Sequence, residues 1–183
     1  MENIKSFQSQ KVIKFLTIIF LGSILLTASA KFKIPFYPVP MTMQTFVVLF
    51  FGLAFGYKIG LSIVGLYLIE GILGLPVFSN SPERGVGLIY FTGPTMGYLI
   101  GFLFAVFLSG YLDLKKNIFI IFFKLLLSVS VIYILGLIWL GILIGWDKPI
   151  LELGAIPFLP AELLKILILT LLTKKIIKLR SFI

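Results

Sequence analysis

The sequence predicts an all-α integral membrane protein: a bundle of six transmembrane helices with both termini in the cytoplasm. Three observations lead there. Of the 183 residues 60% are hydrophobic, and mean hydropathy is +1.14, whereas a soluble domain is closer to half apolar. The apolar residues also come in long runs rather than in alternation, the pattern of a polytopic membrane chain. Finally, 16 Lys and Arg against 7 Asp and Glu give a net charge of +9. The basic residues gather at the ends of apolar runs, where orientation signals belong, and do not form a nucleic-acid footprint. At this length one domain is expected. The absence of His and Cys removes Cys/His metal sites, thiol catalysis, histidine triads and disulfides.

The elements follow in order. The N-terminal stretch has a basic start and an apolar run but a poor cleavage site in Lys31-Phe32-Lys33, so it reads as a retained first helix over residues 12–30. Residues 31–43 contain three prolines and cannot form a regular helix. They form a loop, with Phe36, Tyr37 and Val39 expected to pack on the bundle.

Residues 42–69 would bury Lys58 in mid-bilayer if they formed one helix. A break at Gly56-Tyr57-Lys58 instead gives helices over 42–57 and 59–73. Charge parity favours the break. Lys5, Lys11 and Lys14 precede the first span, and Lys174, Lys175, Lys178 and Arg180 follow the last. Basic termini on the same side require an even number of spans. With six spans, those seven residues share the cytoplasmic side with Lys58, Lys115 and Lys116, while Lys31, Lys33, Arg84 and Lys148 lie outside.

Residues 71–93 make a long loop mixing turn residues with apolar ones, expected to act as a lid or re-entrant segment. Helices over 94–112, 118–145 and 160–174 complete the bundle, with Trp139 and Trp146 marking the outer interface. Small residues four apart (Gly52, Gly56 and Gly60; Gly97 and Gly101; Gly141 and Gly145) suit close helix approach in lipid.

The chemistry points to the last helix. Pro160 suits its first turn, which places Glu162 and Lys165 one turn apart on one face. A carboxylate and an ammonium inside an apolar span cost several kcal/mol unless they pair toward the bundle interior, so they mark a candidate site. The alternative is an ion pair at the helix end with Lys165 snorkelling outward. All the loops rich in polar, Gly and Pro residues fall on the outer side, where an external ligand would arrive. No nucleotide-binding fingerprint is present, and isolated carboxylates do not define a reaction. A binding protein for a small polar or anionic solute fits better than an enzyme.

Four motifs in order, Pro38-Val39-Pro40-Met41-Thr42-Met43-Gln44-Thr45, Gly74-Leu75-Pro76-Val77-Phe78, Gly93-Pro94-Thr95-Met96-Gly97-Tyr98 and Phe158-Leu159-Pro160-Ala161-Glu162-Leu163-Leu164-Lys165, together resemble the biotin transporter BioY family. These are the substrate-binding S-components of energy-coupling factor transporters. The resemblance implies a six-helix fold that holds biotin near the extracellular face and no cofactor. It also implies partnership with a transmembrane coupling subunit and ATPase subunits, in a bacterial plasma membrane.

It assigns biotin binding to Glu162 and Lys165, where the family usually has Asp at the first position. Asn80 and Arg84 match a further asparagine and arginine. Glu162 could accept from a ureido N–H. Lys165 could donate to the ureido carbonyl or neutralise Glu162, and Arg84 could take the valerate carboxylate. Thr42 and Gln44, at the mouth of the second helix, contact ligand or cap that helix. The family docks through small residues on its first helix, for which Ser23 and Thr27 are the nearest match. The rival readings are an S-component for another vitamin, a small membrane enzyme using Glu162 with Lys165, and a purely structural membrane subunit.

Overall fold

The computed structural model describes the backbone of residues 2–111 and 117–182, and side chains within residues 10–111 and 117–180. The side chains of Lys5, Lys115 and Lys116 in the charge census lie outside these ranges. The helices are α1 (Glu2–Lys31), α2 (Gln44–Ile72), α3 (Met96–Gly110), α4 (Ile118–Ile144), α5 (Ile150–Gly154) and α6 (Leu159–Ile176). Four described stretches are long and apolar enough to cross a bilayer: Gln10–Lys31, Gln44–Ile72, Ile118–Ile144 and Ile150–Arg180. The shorter Met96–Gly110 is also apolar.

α2 is not one rod. Its dihedrals leave the helical region at Gly56, where φ is 77° and ψ 172°, a left-handed backbone that favours glycine. The chain reverses there. A Cβ on Gly60 would lie 3.6 Å from the nitrogen of Gly52, although eight residues of straight helix span about 12 Å. Gln44 and Tyr67, 23 positions apart, share a 2.7 Å hydrogen bond. Residues 44–55 and 57–72 are therefore two antiparallel helices joined by a one-residue turn, within the stretch where charge argues for a break.

That turn leaves carbonyls without helical donors, and Arg180 supplies them. Its guanidinium donates to Leu53 O at 2.9 Å, Gly52 O at 3.0 Å and, at the end of α3, Gly110 O at 3.2 Å. Arg180 thus acts as a cap tying the chain terminus to two helix ends, beyond any role as an orientation charge.

The core forms where α3 packs between α2 and α4. A Cβ on Gly101 would lie 2.7 Å from Ile132 Cα, and one on Gly97 would meet the Leu135 carbonyl, so α3 and α4 touch backbone to backbone. On the α2 side a Cβ on Gly60 would meet Val106 at 2.5 Å. The third small pair works differently, since Gly141 accommodates the Trp146 ring. Trp139 donates its indole N–H to Gly93 O at 2.8 Å, so it secures the entry to α3. α1 lies along α2, with Ser23 donating to the Glu70 carboxylate. Ser23 is buried, which removes it from the outward surface of α1. Exposed apolar side chains line the outside, among them Leu16, Phe20 and Ile24 on α1, Phe123, Leu127 and Ile134 on α4, and Leu164, Leu167 and Leu171 on α6. Continuous apolar exposure of this kind is met by a bilayer.

At the end opposite the Gly56 turn, three connections converge. The first contains a two-residue ladder pairing Lys33 with Thr42 and Ile34 with Met41. Val39 packs inward there, whereas Phe36 is partly exposed and Tyr37 is 81% exposed. Tyr37 therefore departs from the expected packing on the bundle. The second connection, from the end of α2 to α3, ends in a 3-10 turn over Gly87–Thr92. Its residues 78–81 are gripped from α1 and the first connection. Lys31 Nζ donates to Phe78 O and Ser81 O, both at 2.8 Å, and Lys33 Nζ to Ser79 O at 2.8 Å and Asn80 Oδ1 at 3.1 Å.

Candidate functional site

The first turn of α6 carries Pro160 and Glu162. Its free N–H groups and dipole favour a carboxylate there. One turn on, Lys165 Nζ lies 2.8 Å from Glu162 Oε1, and both side chains are more than nine-tenths buried. The pair faces the bundle interior, so it is not the interfacial couple with an outward-reaching lysine. Such burial costs several kcal/mol per ion unless further hydrogen bonds complete the pair.

Those bonds come from the start of α2. Lys165 donates to Thr42 O at 2.6 Å and Thr45 Oγ1 at 3.0 Å, and Thr45 Oγ1 donates to Glu162 Oε1 at 2.9 Å. All three ammonium donors are then matched to acceptors. One atom is left over: Glu162 Oε2 is buried and makes no hydrogen bond, although the Tyr133 hydroxyl lies beside this carboxylate. A buried carboxylate oxygen in that condition is costly and calls for a donor.

Glu162 borders a cavity of about 50 Å³. The first connection and α2 contribute Val39, Pro40, Met41, Thr42, Gln44 and Thr45 to its walls. Ser79, Tyr90 and Thr95 come from the second connection, Tyr98, Leu99 and Phe102 from α3, Ile132 and Tyr133 from α4, and Phe158 from the approach to α6. Most of the lining surface is apolar, with polar groups at Glu162, Thr42, Gln44, Thr45, Ser79, Thr95 and the tyrosines. Phe158 stacks edge-on with Phe36 at 5.5 Å and Tyr98 with Tyr133 at 5.9 Å, so part of the wall is a rigid aromatic face. Among the described residues no group of three or more Asp, Glu, His or Cys could hold a metal ion.

Of the sequence-derived site residues, Glu162, Lys165, Thr42 and Gln44 come together. Thr42 Oγ1 accepts from the Gln44 backbone N–H at 3.3 Å, and the Gln44 side chain donates to Tyr67 OH. Both residues therefore order the start of α2 while also lining the cavity. Asn80 and Arg84 line a smaller recess beside it with Gly93 and Pro94, and the two spaces share Tyr90 and Thr95 as walls. Arg84 Nη1 donates to Pro38 O at 2.9 Å, and its guanidinium lies 5.6 Å from the centre of the Tyr37 ring. It thereby straps the two connections over the cavity.

Sequence reasoning passed over Thr45, the hydroxyl at the centre of the charged pair, and Tyr133, which lines the cavity next to Glu162. Thr45 was findable, since it lies one residue after Gln44 in the motif that supplies Thr42. Tyr133 was not, because nothing within α4 distinguishes it from the other apolar and aromatic residues around it.

Comparison with known proteins gives a consistent picture. Residues 2–182 match the model of the BioY family. The chain is 34% identical over 141 residues to a probable biotin transporter BioY of Pyrococcus horikoshii, covering 77% of this chain and 82% of that one. It is 33% identical over 156 residues to the biotin transporter BioY of Thermotoga maritima, covering 85% and 90%. Among solved structures it resembles the S-component for biotin from an ECF-type ABC transporter, with a TM-score of 0.76 and 26% identity over 92% of this chain and 93% of that one.

Proposed function

We infer that this chain, which belongs to the BioY family, is the membrane component that binds biotin in an energy-coupling factor uptake system. It is an integral membrane transport component, not an enzyme. The observation that carries the reading is the likeness, over nine-tenths of both chains, to an S-component for biotin. The site supports it, since a mostly apolar cavity with one unmatched carboxylate oxygen suits a ligand with an apolar ring system and an N–H donor.

We propose six membrane crossings, counting the two halves of α2 separately, with both termini and the Gly56 turn in the cytoplasm of the cell. The three convergent connections then face outward in the plasma membrane. Biotin enters beneath them. A ureido N–H donates to Glu162 Oε2, completing the carboxylate, while Lys165 neutralises it. The thiophane ring lies against the apolar wall, and Thr42 and Gln44 border it. The valerate extends toward the recess of Asn80 and Arg84, where Arg84 has donors beyond the one used on Pro38. A coupling subunit and ATPase subunits supply the energy, since the sequence shows no nucleotide-binding fingerprint.

The test is direct. Wild-type chain and Glu162→Gln, purified in detergent, are titrated with labelled biotin, with thiamin and riboflavin as competitors. Tight biotin binding that neither competitor displaces, and that Glu162→Gln weakens, is the expected result. Wild-type protein that releases a different vitamin under mass spectrometry, or binds no biotin, overturns the assignment.

A further inference from the structure

We propose that Thr45 is a positioning residue that commits one oxygen of Glu162 to the ion pair and leaves the other unmatched, so that the site selects ligands offering a hydrogen-bond donor. The inference rests on the reading of Glu162 as the ligand-binding group. Thr45 is 8% exposed and sits in the first turn of α2, far from α6 in sequence but within 3.0 Å of both members of its charged pair.

The direction of each hydrogen bond follows from chemistry. An ammonium can only donate and an ionised carboxylate can only accept. The Thr45 hydroxyl must therefore accept from Lys165 and give its single proton to Glu162 Oε1. It cannot be turned round. Oε1 then holds two donors, Lys165 has spent its third on the Thr42 carbonyl, and the oxygen of the pair left without a hydrogen bond is Oε2.

Replacing the hydroxyl by a methyl group undoes this order. Lys165 regains an unmatched N–H, Oε1 loses a donor, and the carboxylate is freed to turn about its terminal torsion, which is soft in glutamate. Either oxygen can then be the unmatched one, and the ammonium competes for the ligand's acceptor. Valine keeps the shape of threonine, so the change is one of polarity more than of volume.

The experiment uses the full-length chain as wild type, Thr45→Val, Thr45→Ser, Glu162→Gln and the double Thr45→Val/Glu162→Gln variant. Biotin affinity is one readout. The other needs no ligand: infrared difference spectra against Glu162→Gln isolate the carboxylate band of Glu162. Thr45→Val is expected to weaken biotin binding by about 10- to 100-fold, the effect of losing a hydrogen bond to a charged group, and to shift the band. Thr45→Ser keeps the hydroxyl and restores both. In the Glu162→Gln background, adding Thr45→Val should change affinity by no more than about twofold, because the hydroxyl acts through the carboxylate.

A Thr45→Val affinity equal to wild type, penalties that multiply in the double variant, or an unmoved carboxylate band overturns the inference. Wild-type protein that binds no biotin refutes the assigned ligand instead, and the infrared arm still decides the role of Thr45.

Discussion

Removing the ammonium from the charged pair tests the energetics most severely. Lys165→Met deletes a group that bonds to Thr42 O, Glu162 Oε1 and Thr45 Oγ1 at 2.6, 2.8 and 3.0 Å, leaving a carboxylate only 4% exposed. Breaking one side of a buried ion pair costs about 3–5 kcal/mol. The low end applies here, because Thr45 still serves Oε1 and the adjacent cavity admits water. At about 2–4 °C per kcal/mol for a chain of this size, a loss of about 3 kcal/mol lowers the midpoint of unfolding by roughly 6–12 °C. Glu162→Gln/Lys165→Met removes both charges, and its cost falls to unmatched polar groups, about 1–3 kcal/mol.

The expected order of thermal stability is wild type, then the double variant, then Lys165→Met. Thermal unfolding in detergent, followed through Trp139 and Trp146 fluorescence, measures it. Biotin at a hundredfold excess over Kd should raise the wild-type midpoint, adding about 2.7 kcal/mol, and should leave both variants unmoved. Wild-type stability in Lys165→Met, or a double variant less stable than the single one, would refute the view that the carboxylate depends on its ammonium.

Two further predictions concern the ends of the molecule. Arg180→Met strips donors from the carbonyls of Gly52, Leu53 and Gly110; water reaches this end and limits the loss to about 1–3 kcal/mol, read as a lower unfolding midpoint with biotin affinity changed less than in Lys165→Met. Arg84→Ala cuts the strap to the Pro38 carbonyl and any contact with the valerate, so biotin should dissociate about 10-fold faster or more, as for loss of a charge-assisted bond; stopped-flow displacement measures this, and an unchanged off-rate removes Arg84 from the site.

Much of this arrangement was legible because a bilayer penalises unmatched polar groups. Lys58 in mid-span and basic clusters at both termini argued for a reversal near Gly56, and the backbone turns there with φ at 77°. Glu162 and Lys165, one turn apart in an apolar run, had to face inward or cost too much, and they are buried together. The two-residue ladder of the first connection was invisible, being too short to carry an alternating pattern. Tyr37 was expected to pack and instead lies outside beside Arg84. Ser23, a small residue suited to a docking face, turns to Glu70.

These differences share one cause. Sequence shows which residues bring a hydrogen-bonding demand into an apolar chain, but the partner that meets the demand is set by tertiary approach. Thr45 meets Glu162 across 117 positions, Lys31 meets Ser81 across 50, and Arg180 meets Leu53 across 127. In a soluble protein water would share this work, and few such pairings would be required. Where the surroundings are hydrocarbon, each polar side chain must be matched from within, so a buried acceptor that the chain leaves unmatched, as at Glu162 Oε2, is the place where a ligand has something to supply.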